Sequence, residues 1–213
     1  SGAGTPRSPA PADELRQPRS LTGETSETKR LEDLRKELLE AVQKSEALQK
    51  FKDQLLVDLT SEGLRIQIVD AQNRPMFDLS GTTMKPYARE LLLEIGKSLN
   101  GLPNRISISG HTDDTPFVGG DRTRYTNWEL SADRANAARR VLVDGGLGID
   151  KIARVVGMSS YVMLDAKNPK NSMNRRISIV VLNKATEEAM TRTDSFKVSG
   201  GPAVNPVPTA TAR

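Results

Sequence analysis

The residues best placed to do chemistry stand around one strand end and the helix that follows it. His111, Asp113 and Asp114 come directly after the alternating run Ile106 to Gly110, and Arg134 lies 21 positions beyond Asp113 inside a helical pattern. On a wheel of about 100° per residue, Leu130, Ala137, Ala138 and Val141 cluster on one side of residues 127–144, and Arg134 falls among them. A core-facing guanidinium keeps its proton and is costly to bury without an anionic partner. The residues leave two partners open. One is an internal pair with Asp113 or Asp114. The other is a ligand carboxylate held in bidentate fashion by Arg134, with Asp113 across a cleft taking a ligand ammonium. The first two turns of a helix attract anions as well, so a zwitterionic amino-acid head group fits such a site.

A histidine beside two aspartates could also work as an acid/base pair, but no nucleophile motif accompanies it. The chain has one histidine and no cysteine among its 213 residues. That excludes disulfides, thiol nucleophiles, thiolate zinc sites and multi-histidine metal chemistry, and His111 with two aspartates finds no third ligand at helical spacing. No cofactor or metal is expected. The net charge of +4 is diffuse, without the basic stripe and stacking aromatics of a nucleic-acid binder. No apolar run nears the roughly 18 residues of a membrane span, so the chain as given reads as soluble.

Residues 1–25, rich in Pro, Ser, Thr and Gly, are expected to form a disordered linker. Leu31, Leu34, Leu38, Val42, Leu48, Phe51, Leu55 and Leu59 recur at three- to four-residue steps. They predict one amphipathic helix, or two in succession, inside a linker-helix region spanning 26–61. Its stripe must pack on its own domain or on a second copy. A folded domain is expected over 62–185 and a flexible tail over 186–213. Within the domain, Leu64, Ile66 and Ile68 alternate as a strand, and Pro86 opens a helix carrying Ala88, Leu91, Leu92, Ile95 and Leu99. Ile106 and Ile108 start a second strand, and a long charged loop runs from 111 to 126. Asn127 is expected to cap the next helix, and strands follow at 154–157 and 176–182. The alternation predicts an α/β two-layer sandwich, a mixed sheet of about four strands with helices on one face and a long N-terminal helix.

At these positions the chain resembles a known family. Ile106-Ser107-Ile108-Ser109-Gly110-His111-Thr112-Asp113, Asn127-Trp128-Glu129-Leu130-Ser131-Ala132-Asp133-Arg134-Ala135, Gly157, and Asn174-Arg175-Arg176-Ile177 are similar to the motifs of the OmpA-like peptidoglycan-binding domain. Finer matches, such as Gln72-Asn73-Arg74-Pro75-Met76-Phe77 and His111-Thr112-Asp113-Asp114, resemble the branch of flagellar motor stators. The resemblance implies a non-catalytic domain binding the diaminopimelate of a peptidoglycan stem peptide. Asp113 would take the ammonium and Arg134 the carboxylate, with Thr112 and Asn127 shaping the pocket. It further implies the periplasmic portion of an inner-membrane protein, a homodimer, and a MotA stator subunit as partner of the full-length protein. The alternative within the family is an outer-membrane OmpA- or Pal-like protein.

Overall fold

The computed structural model describes residues 21–49, 51–117 and 124–192. Five strands form one sheet: β1 (Leu55–Thr60), β2 (Gly63–Val69), β3 (Ile106–His111), β4 (Ile152–Gly157) and β5 (Arg176–Leu182), in the order β1-β2-β5-β3-β4. Only the β3–β4 pairing is parallel. The helices are α1 (Leu21–Lys44), the single turn α2 (Glu46–Gln49), α3 (Pro86–Asn100), α4 (Asn127–Asp144) and α5 (Lys184–Thr191).

The period-two alternation of the strands divides the sheet into two faces. Leu64, Ile66 and Ile68 of β2, Ile106 and Ile108 of β3, and Ile177, Ile179 and Val181 of β5 share one core with the apolar stripes of α1, α3 and α4. The intervening residues put Arg65, Gln67, Ser107, Ser178 and Arg176 on the other face. There the arginines lie over shorter neighbours: Arg176 Nε donates to Gln67 Oε1 at 2.9 Å and Arg154 Nε to Ser107 Oγ at 2.8 Å. The sandwich expectation therefore holds, with helices on one face and one strand more than the sequence suggested.

The extra strand corrects the helical reading of 55–59. Leu55 and Leu59 lie four apart, yet Leu55, Val57 and Leu59 also alternate, so both periods fit the same letters. Antiparallel pairing decides it. Leu55 faces Ile68 and Thr60 faces Gly63 across a hairpin whose turn is Ser61-Glu62. α1 does form, and Leu31, Leu34, Leu38 and Val42 are buried in the domain's own core. It begins at Leu21, so 21–25 belong to a helix and not to the expected linker. Residues 1–20 lie outside those described. At the other end α5 continues to Thr191, which corrects the tail expectation for 186–191, since Asn183 Oδ1 caps the helix by accepting from Thr186 N at 2.9 Å. Residues 193–213 lie outside the described residues. No described helix is long and apolar enough to cross a membrane.

Candidate functional site

Strand register brings the site together. Val69 pairs with Arg176 across β2 and β5, and His111 pairs with Arg176 across β3 and β5. One residue further on, Asp70, Arg175 and Thr112 therefore lie side by side at one end of three adjacent strands. Asp70 N donates to Arg175 O at 3.0 Å, which extends the ladder by one step.

α4 lies over this end because the sheet beneath it has two facing glycines. Gly110 and Gly157 are cross-strand partners. A Cβ on Gly110 would sit 2.0 Å from Ser131 O, and one on Gly157 2.7 Å from Ala132 N, so the first turns of α4 rest directly on backbone. The N-cap is Thr126, not Asn127. Thr126 accepts from Trp128 N, and Glu129 reaches back to accept from Thr126 N at 2.7 Å, forming a capping box. Asn127, one position inside, turns its amide to Thr115 O at 2.9 Å and Asp113 O at 3.4 Å. It thereby ties the segment after β3 to the helix that carries Arg134.

Arg134 is buried at 8% exposure, as the helical wheel requires. Its partners are not those expected. Among the described residues it forms no ion pair with a carboxylate. Nε donates to Gly81 O at 2.9 Å and a terminal nitrogen to Asp78 O at 3.5 Å, while the guanidinium stands 4.9 Å above the ring of Phe77. The β2–α3 segment thus closes over Arg134 with neutral carbonyls and a ring face. That uses two of the five donors of the fork and leaves the charge uncompensated at contact distance. Burial pushes the Arg134 pKa down, opposed by the nearby Asp70 and Asp113, and the group remains a cation.

Asp113, 7% exposed, gives one oxygen to Thr115 N at 3.0 Å and the other to Arg175 at 2.6 Å. Arg175 also binds Asp70, Nε to Oδ2 at 2.8 Å, so one guanidinium bridges two carboxylates. Burial opposes its charge, but the bonds from Asp70 and Asp113 outweigh it and raise its pKa. Asp70 is 4% exposed and also accepts from Met76 N at 2.7 Å. Its burial raises its pKa against the pull of Arg175. The internal partner of Asp113 is therefore Arg175, which sequence reasoning quoted within Asn174-Arg175-Arg176 without giving it a role. Asp70 was missed as well. The available signal was register, because the residue after a β2 strand ending at Val69 must face the one before a β5 strand starting at Arg176.

Thr112 is 3% exposed and its hydroxyl has no hydrogen-bond partner among the described residues. The four expected residues thus gather at one end of the sheet with Asp70 and Arg175. His111 does not join them. Gly110 faces α4, so His111 points to the other face of the sheet, where burial, then Arg176, lowers its pKa to about 4. At neutral pH it is an uncharged imidazole on the side of the sheet that carries Arg176. Asp114 is exposed, and Ser160 Oγ lies 3.4 Å from it. No three acidic or histidine side chains converge as a metal site among the described residues. A cavity of about 650 Å³ lies at the opposite end of the sheet, between α1, the β1–β2 hairpin and α5, lined by Glu27, Leu31, Thr60 and Lys184. It shares no residue with this cluster, whose buried charges are the better mark of a recognition site.

The arrangement offers a cation and a carboxylate, both buried, to a ligand carrying opposite charges at fixed separation. Residues 76–177 match the model of the OmpA family. The chain is 50% identical over 164 residues to motility protein B of Escherichia coli K12, an alignment covering 77% of this chain and 53% of that protein. It thus spans about half the length of that relative. Among solved structures, a MotB-like protein from Desulfovibrio vulgaris superposes with a TM-score of 0.61 at 16% identity, over 75% of this chain and 98% of that one. The cell wall anchor of the type VI secretion system from Pseudomonas aeruginosa gives 0.54 at 21% identity, over 74% and 100%. At these identities both speak for the fold.

Proposed function

We propose that this chain, which belongs to the OmpA family through residues 76–177, is a non-catalytic periplasmic domain that binds peptidoglycan and anchors a flagellar motor stator to the cell wall. The observation that carries the reading is the buried Arg134, whose described partners are two neutral carbonyls and a ring, beside the buried carboxylate of Asp113. A ligand carboxylate supplies the anion that Arg134 lacks, and a ligand ammonium takes Asp113 in competition with Arg175. The free end of a diaminopimelate side chain carries both groups on one carbon. Thr112 offers its unpartnered hydroxyl to the same ligand, and Asn127 holds Asp113 against the helix.

The 50% identity to motility protein B supports the stator branch over the outer-membrane alternative. On that reading the chain is the periplasmic portion of an inner-membrane protein. It works as a homodimer, with the MotA stator subunit as partner of the full-length protein. The neutral His111, on the side of the sheet that carries Arg176, supports binding without catalysis. Sedimentation with purified peptidoglycan tests the reading. Each charged hydrogen bond contributes about 1.5–3 kcal/mol, so Arg134→Ala and Asp113→Ala should each weaken binding at least tenfold. Undiminished binding by both folded variants would refute it.

A further inference from the structure

Asp70 has no place in the scheme above, yet it is among the most deeply buried charges of the domain, and Arg175 links it directly to Asp113. We propose that Asp70 is a positioning residue for ligand binding: by holding Arg175 through Nε, it keeps that guanidinium shared between two carboxylates and so leaves Asp113 open to exchange its internal cation for a ligand ammonium. This rests on the binding reading given above.

The geometry supports a division of labour. Arg175 spends Nε on Asp70 at 2.8 Å and a terminal nitrogen on Asp113 at 2.6 Å. A guanidinium's favoured grip on a carboxylate is the parallel two-bond fork, and Arg175, divided between two carboxylates, makes it with neither. Asp113 is therefore held by one bond where two are possible. Asp70 is itself fixed from the other side, since Oδ1 accepts from Met76 N at 2.7 Å and its backbone N–H reaches Arg175 O at 3.0 Å. The charged groups around it are Arg175, just before β5, and Arg134 from α4, and the Tyr87 hydroxyl of α3 senses its charge. When a ligand ammonium takes Asp113, Arg175 still has Asp70 and is not left as a half-buried unpaired cation. That removes the main penalty of exchanging the internal partner for the external one.

A double-mutant cycle tests this on the whole chain, titrating a soluble muropeptide carrying meso-diaminopimelate by calorimetry. Asn at position 70 retains the acceptor for Met76 N but offers Arg175 no charge. Asp70→Asn should therefore weaken binding about tenfold by surrendering Arg175 to Asp113. In an Arg175→Gln background the same change should alter binding less than twofold, because the competitor is gone. A purely structural role for Asp70 predicts equal loss in both backgrounds, and that result, or full-strength binding by Asp70→Asn, would overturn the proposal. Arg175→Lys tests it independently of whether Asp70→Asn folds. An ammonium has no planar fork to hold it between the two carboxylates, and one that settles on Asp113 competes there with the ligand, so binding should again weaken about tenfold, and wild-type affinity would count against the idea. Arg134→Ala and Asp113→Ala serve as controls. If they too bind normally, the binding reading itself fails; if they lose binding while the cycle shows no coupling, only the positioning role fails.

Discussion

Replacing Gly110 by alanine should unseat the helix that carries Arg134. The added methyl would lie 2.0 Å from Ser131 O and 3.3 Å from Ala135 Cβ, and real Cβ atoms essentially never approach other atoms within 3.0 Å. The obstruction is backbone, so no side-chain rotation relieves it. Either α4 or the end of β3 must move by at least the 1.0 Å difference between those values. Overpacking of this kind costs about 1–3 kcal/mol. For a domain of this size that corresponds to a melting temperature lower by about 3–9 °C. Arg134 is one turn beyond Ser131, so the same displacement separates it from Asp113 and should lower peptidoglycan binding by about tenfold or more. Circular dichroism melting and sedimentation with purified peptidoglycan measure the two effects. Gly101→Ala is the control, since a methyl there meets only Ser98 O at 4.0 Å. If Gly110→Ala melts and binds like the wild type, α4 is not seated on β3 as described and the account of the site's geometry is wrong.

His111 gives a stability dependence on pH. Its folded pKa of about 4 lies below the usual 6.5, so the neutral form's contribution is complete above pH 6.5 and is lost as pH falls towards 4. Denaturant melts should show a loss of up to about 3 kcal/mol across that window, and His111→Gln should flatten it. Asp70, with a raised pKa, acts in the opposite sense at the acid end, which makes the difference between wild type and variant the quantity to compare. His111→Gln should also leave peptidoglycan binding intact, and no soluble muropeptides should appear with either protein. At the other end of the domain, Glu27 Oε1 accepts from Asn104 Nδ2 at 3.1 Å and Lys184 N at 3.0 Å. Glu27→Ala should speed amide hydrogen exchange over residues 23–30 while lowering stability by only about 1 kcal/mol, and unchanged exchange there would show that the contact does not hold the helix.

The parts of the fold legible in the sequence were those where one period dominates. β5, with Ile177, Ile179 and Val181, lies where the alternation put it, and the stripe of α3 is buried as its spacing requires. β1 was not legible, because Leu55, Val57 and Leu59 satisfy two periods and only the partner strand chooses between them. The anomaly of Arg134 was visible as a charge on an apolar stripe. Its partners were not, because backbone carbonyls from residues 78 and 81 leave no mark in side-chain chemistry. Arg175 was hidden for another reason: its role depends on lying opposite Asp70, 105 positions away.

The placement of α1 decides how the domain would carry a mechanical load. Its first turns are clasped through Glu27 at the end of the sheet where β5 finishes and β3 begins, while Asp113 and Arg134 lie at the opposite end. After α1 the chain returns to the end that carries Asp113 and Arg134, where Gln54 Nε2 donates to Val69 O at 2.8 Å. On the proposed binding, a pull between α1 and a cell wall held at Asp113 and Arg134 would run lengthwise along β2, β5 and β3, loading many perpendicular ladder bonds at once in shear. If α1 were peeled away, the force would enter beside Gln54 and leave at Asp113 and Arg134, close to the same edge, and most of the sheet would be bypassed. Docking of one helix thus sets whether the sheet works as a tie bar or as a bystander.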